Sequence, residues 1–262
     1  MHMVRGRERA VLGTGPILGL IVAAWALAAA MVVSDNDRAL RHDSILAAAG
    51  LPGPAALALY LGAWQVMTAG MMLPSSLPMI HLFARASRSQ TRPRQALGLF
   101  LAAYFAVWTL FALTALLTDA GLHALVERWV WLDARPWLIS GTLLVAAGLF
   151  QFSPLKERCL DACRNPLSFL WHHYGRGPRA AWALGWRHGL FCLGCCWALM
   201  LVMFAVGVGS LVWMAGLTGV MVVEKTSRVG RRLVPVVGAA LLLWGGLLLL
   251  APAWLPTALG GA

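Results

Sequence analysis

Residues 183–223 read ALGWRHGLFCLGCCWALMLVMFAVGVGSLVWMAGLTGVMVV, and Arg187 is the only side chain in this stretch that carries a formal charge. A helix rises about 1.5 Å per residue, so the stretch would extend about 60 Å, twice the hydrocarbon thickness of a bilayer. We therefore expect two membrane-spanning helices here, over residues 184–206 and 210–223. The GVG sequence at 207–209 is the natural place for the turn between them.

The composition of the whole chain excludes an ordinary water-soluble fold. Hydrophobic residues make up 60% of its 262 residues and charged residues 12%, whereas soluble domains carry about 45–50% apolar and about 25% charged residues. Further apolar stretches predict spans over residues 11–33, 55–83, 96–117, 136–152 and 233–250. An amphipathic segment at 122–132 precedes the fourth span. The expected fold is an all-α bundle of seven transmembrane helices, or six if the first stretch is a cleaved signal peptide.

Basic residues are distributed unevenly between the predicted loops. Of the 21 lysines and arginines, all but four fall on the side of the N-terminus; the exceptions are Arg38, Arg41, Arg128 and Arg135. Because cytoplasmic loops collect basic residues, we expect the tail 1–10 and the loop 153–183 in the cytoplasm and the tail 252–262 outside. Residues 11–251 then form one membrane domain. This topology accounts for the net charge of +11, so nucleic acid is not expected as a partner.

All five cysteines lie within residues 159–196, at or near the predicted cytoplasmic side. Cys159 and Cys163 are four residues apart on a short helix that Ser153 would cap and Pro154 would open, so they should share a face. Because the cytoplasm keeps thiols reduced, clustered cysteines there indicate metal binding or redox chemistry rather than structural disulfides.

The other three cysteines lie near the start of the fifth span, where helical spacing aligns them with a histidine and a methionine. Thiol, imidazole and thioether groups along one helix face are ligands that a soft metal would use. Joined by the cysteines of the preceding loop, they could complete a four-thiolate zinc site or a lower-coordinate site for Cu(I). The predicted metal ligands are Cys159, Cys163, Cys192, Cys195, Cys196, His188 and Met200.

The second span supplies weaker ligand candidates. Its methionines Met67, Met71 and Met72 could form a thioether relay for copper, although methionine also fills packing gaps in helical cores. His81, near the cytoplasmic end of the same span, could approach His188. Two prolines, at positions 74 and 78, should kink this span and free backbone carbonyl groups.

Three segments resemble the motifs of a bacterial family known as predicted metal-binding integral membrane proteins. The segments are MMLPS at residues 71–75, KERCLDACRNP at 156–166 and GLFCLGCCWALM at 189–200. The resemblance extends over about residues 55–225. It implies a polytopic helical fold in the bacterial cytoplasmic membrane and a bound metal, but no reaction, because the domain of that family has no known function.

These features predict a membrane protein that binds Cu(I) or zinc at its cytoplasmic face for metal delivery, export, sensing or cofactor assembly. Its expected partners are the lipid bilayer and either a metal chaperone or a membrane enzyme. A thiol–disulfide oxidoreductase is an alternative, because Cys192 and Cys195 have the Cys-x-x-Cys spacing of redox-active pairs. Cys159 and Cys163 could then act as the resolving cysteines in thiol–disulfide exchange. A structural subunit of a membrane complex is a third hypothesis. The sequence contains no pattern of serine-hydrolase, phosphate-loop or paired-carboxylate catalysis, so an enzymatic role is not favoured.

Overall fold

The computed structural model describes residues 15–33, 53–126, 128–206 and 210–251. Within these ranges the regular structure is helical, without strands, which confirms the all-α prediction. The helices are α1 (Gly15–Val33), α2 (Gly53–Ala86), α3 (Pro93–Val126), α4 (Val130–Asp133), α5 (Pro136–Gln151), α6 (Pro154–Arg164), α7 (Pro166–His173), α8 (Pro178–Val206), α9 (Leu211–Thr226) and α10 (Gly230–Leu250), with a 3-10 turn at Ser87–Ser89. Both predicted tails and the predicted turn at 207–209 lie outside the described residues.

Five helices of the described chain are long and apolar enough to cross a membrane: α1, α2, α3, α8 and α10. Helices α5 and α6 meet at a bend of 63° and could together provide a sixth crossing. The prediction of seven spans is not supported. Helices α5 and α9 have 16 residues each, and a helix of that length extends only about 24 Å against a hydrocarbon core of about 30 Å.

Helices α2 and α3 pack antiparallel and surround the centre of the hydrophobic core. Near the start of α2, the hydroxyl of Tyr60 donates to the carbonyl of Ala112 at 3.1 Å. Near its end, the ring of Phe83 stacks on Phe100 with centroids 4.8 Å apart. Trp108, which is fully buried, is among the largest side chains of this core.

Two glycines allow α8 to lie close against α3. A Cβ at Gly185 would overlap the carbonyl group of Phe100, and a Cβ at Gly189 would lie 3.0 Å from Cγ2 of Val107. From the first contact to the second, the residue numbers increase in both helices, so α3 and α8 run parallel. Small residues four apart are what such close helix approach requires.

A proline in α2 exposes a carbonyl group that α1 uses. Pro74 has no N–H to donate to the carbonyl of Gly70, four residues earlier. The indole Nε1 of Trp25 in α1 donates to this carbonyl instead, at 3.1 Å. The predicted freeing of a backbone carbonyl is confirmed at Gly70, and the resulting hydrogen bond attaches α1 to α2.

Helices α5 and α10 form an antiparallel pair whose contact consists of glycine against glycine. A Cβ at Gly245 would lie 2.8 Å from the carbonyl oxygen of Gly141. A Cβ at Gly148 would lie 3.0 Å from the carbonyl oxygen of Gly238. The two backbones therefore touch at two levels, where no larger side chain fits.

The neighbouring glycines Gly245 and Gly246 provide a matched test of this packing. Gly245→Ala should destabilise the protein by about 1–3 kcal/mol, because the added methyl group meets backbone atoms of α5 that cannot move aside. Gly246→Ala has nothing within 4 Å of its Cβ and should be neutral or slightly stabilising, since alanine favours helices. Thermal unfolding of both variants in the same detergent measures the difference. Equal effects would contradict the packing described here.

Candidate metal centre

The segment that follows α5 brings two cysteines onto one face of a short helix. The hydroxyl of Ser153 accepts the backbone N–H of Lys156 at 3.1 Å, and Pro154 is the first residue of α6. The helix therefore begins as the sequence predicts. Cys159 and Cys163, four residues apart, lie next to residues of α8.

Four sulfur atoms from three helices form a continuous row. The Sγ atoms of Cys163 and Cys195 are 3.9 Å apart. The Sγ atoms of Cys195 and Cys196 are 3.6 Å apart, and Sγ of Cys196 is 3.8 Å from Sδ of Met72 in α2. Cys163 is partly exposed, whereas the other three are buried. We call these four residues the sulfur row; it leads from the partly open face of α6 to the core.

The geometry of the row fits a metal of low coordination number. A metal bound to three sulfur atoms at about 2.3 Å in a trigonal arrangement separates them by about 4 Å, close to each separation in the row. However, no group of three or more His, Cys, Asp or Glu side chains in the described part of the chain is placed to hold one ion. Structural zinc sites use four such ligands. Thiolate and thioether pairs instead select Cu(I).

Cys192 differs from the other thiols of α8 because its sulfur contacts a buried lysine and a tyrosine hydroxyl. Its Sγ lies 3.1 Å from the hydroxyl of Tyr104 and 3.1 Å from Nζ of Lys225. The hydroxyl of Ser76 is 3.8 Å away. All four of these side chains are buried. The structure thus places the Cys192 sulfur among buried nitrogen and oxygen groups, and its thiol also interacts with that of Cys196.

Two of the predicted ligands lie beside the row without joining it. Cys159 is buried against Gly194, where a Cβ would lie 2.5 Å from the Cys159 sulfur. His188 is buried and stacks on Phe100 and Tyr104, with ring centroids 5.8 and 5.6 Å away. Its Nε2 has no hydrogen-bond partner among the described residues. The arrangement gives His188 aromatic neighbours.

The remaining candidates are methionines of the core and one histidine. Met67, Met71 and Met200 are buried, but the contacts that define the sulfur row do not include them. His81 is partly exposed. The ring contacts of His188 in the described chain are with aromatic residues, and its approach to His81 stays a prediction.

Sequence reasoning missed the buried charges next to the cysteines. It placed Lys225 in a basic loop, whereas α9 continues to Thr226 and Lys225 is only 5% exposed. Glu224 is 1% exposed and was not considered. The available signal was that these two charges directly follow the apolar run of α9, where one further turn of helix would carry them into the bundle.

Charged contacts attach α6 to the end of α9. Nζ of Lys156 donates to Oε2 of Glu224 at 2.7 Å, and both side chains are almost completely buried. The guanidinium of Arg164 donates to the carbonyl oxygens of Glu224 and Ser227, at 2.6 and 2.7 Å. A Cβ at Gly230 would lie 2.8 Å from Nη1 of Arg164, so glycine leaves room for that guanidinium. These contacts hold α6, and with it Cys163, against the bundle.

The fold and the site define a helical protein with membrane-length helices and a buried row of cysteine and methionine sulfur atoms. Residues 61–248, more than two thirds of the chain, match the family described as PpoB2: Copper chaperone. The chain therefore belongs to this copper chaperone family. No curated protein and no solved structure matches it. The family supports the predicted relation to metal and the choice of copper, and gives no support to zinc.

The contacts of α6 make a prediction about stability. Glu224→Gln should lower the free energy of unfolding by about 3–5 kcal/mol, because it leaves the Lys156 ammonium buried without its counter-charge. Asp161→Asn breaks the ion pair with Arg231, whose two side chains are 43% and 71% exposed, and should cost less than about 1 kcal/mol. Thermal unfolding in detergent compares them. A cost for Asp161→Asn as large as that for Glu224→Gln would contradict this assignment.

Proposed function

We propose that this protein carries Cu(I) as cargo on the sulfur row. The observation that supports the proposal most directly is the contact of four sulfur atoms, from Cys163 to Met72, in a member of a copper chaperone family. Thiolate and thioether ligands are soft, and they favour Cu(I) over the harder ions that need oxygen. The row offers the metal several adjacent positions in place of one closed site.

The binding position with the best ligand set is the inner part of the row. Cys195 and Cys196 would supply two thiolates and Met72 a neutral thioether, with sulfur separations of 3.6 and 3.8 Å. Cys163, 3.9 Å from Cys195, would be the ligand that exchanges copper with a partner, because it is the partly exposed member. Copper would move along the row by replacing one sulfur ligand with the next.

The proposed setting is a bacterial cytoplasmic membrane. Six helices could cross it if α5 and α6 form one span. The basic residues of the N-terminal tail and of segments 85–94 and 156–187 then lie on one side, which favours a cytoplasmic N-terminus. The cysteine-bearing segment 153–183 then faces the cytoplasm, with lipid around the helices. A copper donor or a membrane enzyme that receives copper would dock beside Cys163. In this setting the role is delivery or cofactor assembly, without a catalysed reaction.

The ligand assignment predicts which substitutions abolish copper binding. The double variant Cys195→Ser, Cys196→Ser should lose at least about 90% of the bound Cu(I), because it removes both thiolates of the inner position. Cys159→Ser, which changes a thiol outside the row, should retain nearly all of it. Purified full-length protein is loaded anaerobically with Cu(I), desalted, and assayed for copper and zinc. Loss of copper in Cys159→Ser alone would contradict the assignment.

Two adjacent methionines test the thioether ligand separately. Met71 and Met72 are both 0% exposed, and the thioether contact with Cys196 is made by Met72. Met72→Leu should weaken Cu(I) binding about ten-fold, whereas Met71→Leu, which makes the same change in volume, should leave it unchanged. Competition with a chromogenic Cu(I) chelator measures both. Equal affinities for the two variants would remove Met72 from the site.

A further inference from the structure

Lys225 is a buried cation without a carboxylate partner in the described part of the chain. Its Nζ donates to the hydroxyl of Ser75 at 2.9 Å and to the sulfur of Cys192 at 3.1 Å. The other buried lysine of the bundle, Lys156, has Glu224 as its counter-ion. An ammonium group taken out of water is costly unless an opposite charge compensates for it. The groups around Lys225 that can supply such a charge are thiols.

A copper-loaded row would carry the opposite charge, a buried negative charge without a counter-ion. One Cu(I) ion with two thiolates carries a net charge of minus one, and burial of that charge is as unfavourable as burial of a lone ammonium. Nζ of Lys225 lies 3.1 Å from the sulfur of Cys192. The thiols of Cys195 and Cys196 both donate to the backbone carbonyl of that same residue, at 3.1 and 2.7 Å. The nearby hydroxyls of Tyr104 and Ser76 contribute hydrogen bonds but no charge. Lys225 is therefore the group that can make the loaded site electrically neutral.

We propose that Lys225 is the counter-charge residue of the copper site: its ammonium balances one Cu(I) ion held by two thiolates. It acts by position and does not ligate the metal. The inference rests on the proposed function, which it extends by fixing the charge of the loaded site. Because one ammonium balances one negative charge, the row takes a single Cu(I) with two thiolates and a neutral third ligand.

The test uses full-length protein in detergent, with Cu(I) in competition with bicinchoninate. Lys225→Met should bind Cu(I) at least ten-fold more weakly, which corresponds to about 1.4 kcal/mol. Lys225→Arg keeps the charge and should stay within about three-fold of the wild type. Ser75→Ala removes a hydrogen bond of Lys225 and keeps its charge, so it should also stay within about three-fold. The control variant Arg231→Met removes a positive charge that is 71% exposed and should bind as the wild type does.

A second measurement needs no variant and so does not depend on the folding of Lys225→Met. Wild-type protein is titrated with Cu(I), and a second equivalent should bind at least ten-fold more weakly than the first, because the single counter-charge is already used. Two equivalents of equal affinity, or unchanged binding by Lys225→Met, would overturn the inference while copper binding itself stands. If the wild type binds no Cu(I), the proposed function fails and the inference fails with it.

Discussion

The sulfur row depends on one buried ion pair. Cys163 reaches Cys195 only while α6 stays against the bundle, and Lys156 and Glu224 form the strongest contact that keeps it there, at 2.7 Å with side-chain exposures of 1% and 2%. Neither group has water to replace its partner. The same turn of α9 also offers its carbonyl oxygens to Arg164. A short helix with a polar composition is in this way fixed at a defined position beside two apolar ones.

Glycine determines how closely these elements approach. At Gly194 a side chain would displace the sulfur of Cys159, and at Gly230 it would meet the backbone carbonyls of Val223 and Glu224 as well as the guanidinium of Arg164. Both positions lie at the contacts of α6, and both would push the helix outward if they carried a methyl group. The charged contacts therefore supply the attraction that holds α6, and the two glycines supply the space that lets this attraction act at short range.

Local patterns in the sequence allowed a good part of this structure to be predicted. The helical fold follows from long apolar stretches, the start of α6 from Ser153 and Pro154, and the meeting of the two cysteine groups from their short separation along the chain. The number of spans did not follow, because the stretch predicted as the sixth span, 210–223, is shorter than a membrane crossing needs, and α9 reaches only 16 residues. The buried position of Lys225 has a local signal, its place directly after the apolar run of α9, but the residues that surround it come from other helices.

Local sequence patterns also cannot distinguish the roles of two cysteines within one helix. Cys192 and Cys196 lie on the same stripe of α8, so the sequence assigns them the same role. In the structure the neighbouring helices separate them: Cys196 meets the thioether of Met72, while Cys192 meets Lys225 and Tyr104. Helical spacing predicts which side chains point the same way, but the atoms they meet come from distant parts of the chain. A difference in function between two cysteines one turn apart therefore becomes visible only in the folded protein.

The order of ligands along the row suits a carrier better than a storage site. Under the proposed function, Cys163 at the partly exposed end takes copper from a partner or passes copper to it. Its thiolate remains near water and so loses little hydration when no metal is bound. At the buried end Met72 is neutral and adds no charge to the core. Under the proposed function, copper is held at Cys195 and Cys196, whose thiols both lie against the backbone carbonyl of Cys192, the residue whose sulfur contacts Lys225. A row that leaves each ion few ligands at a time favours exchange, because a partner needs to replace only one sulfur to begin the transfer.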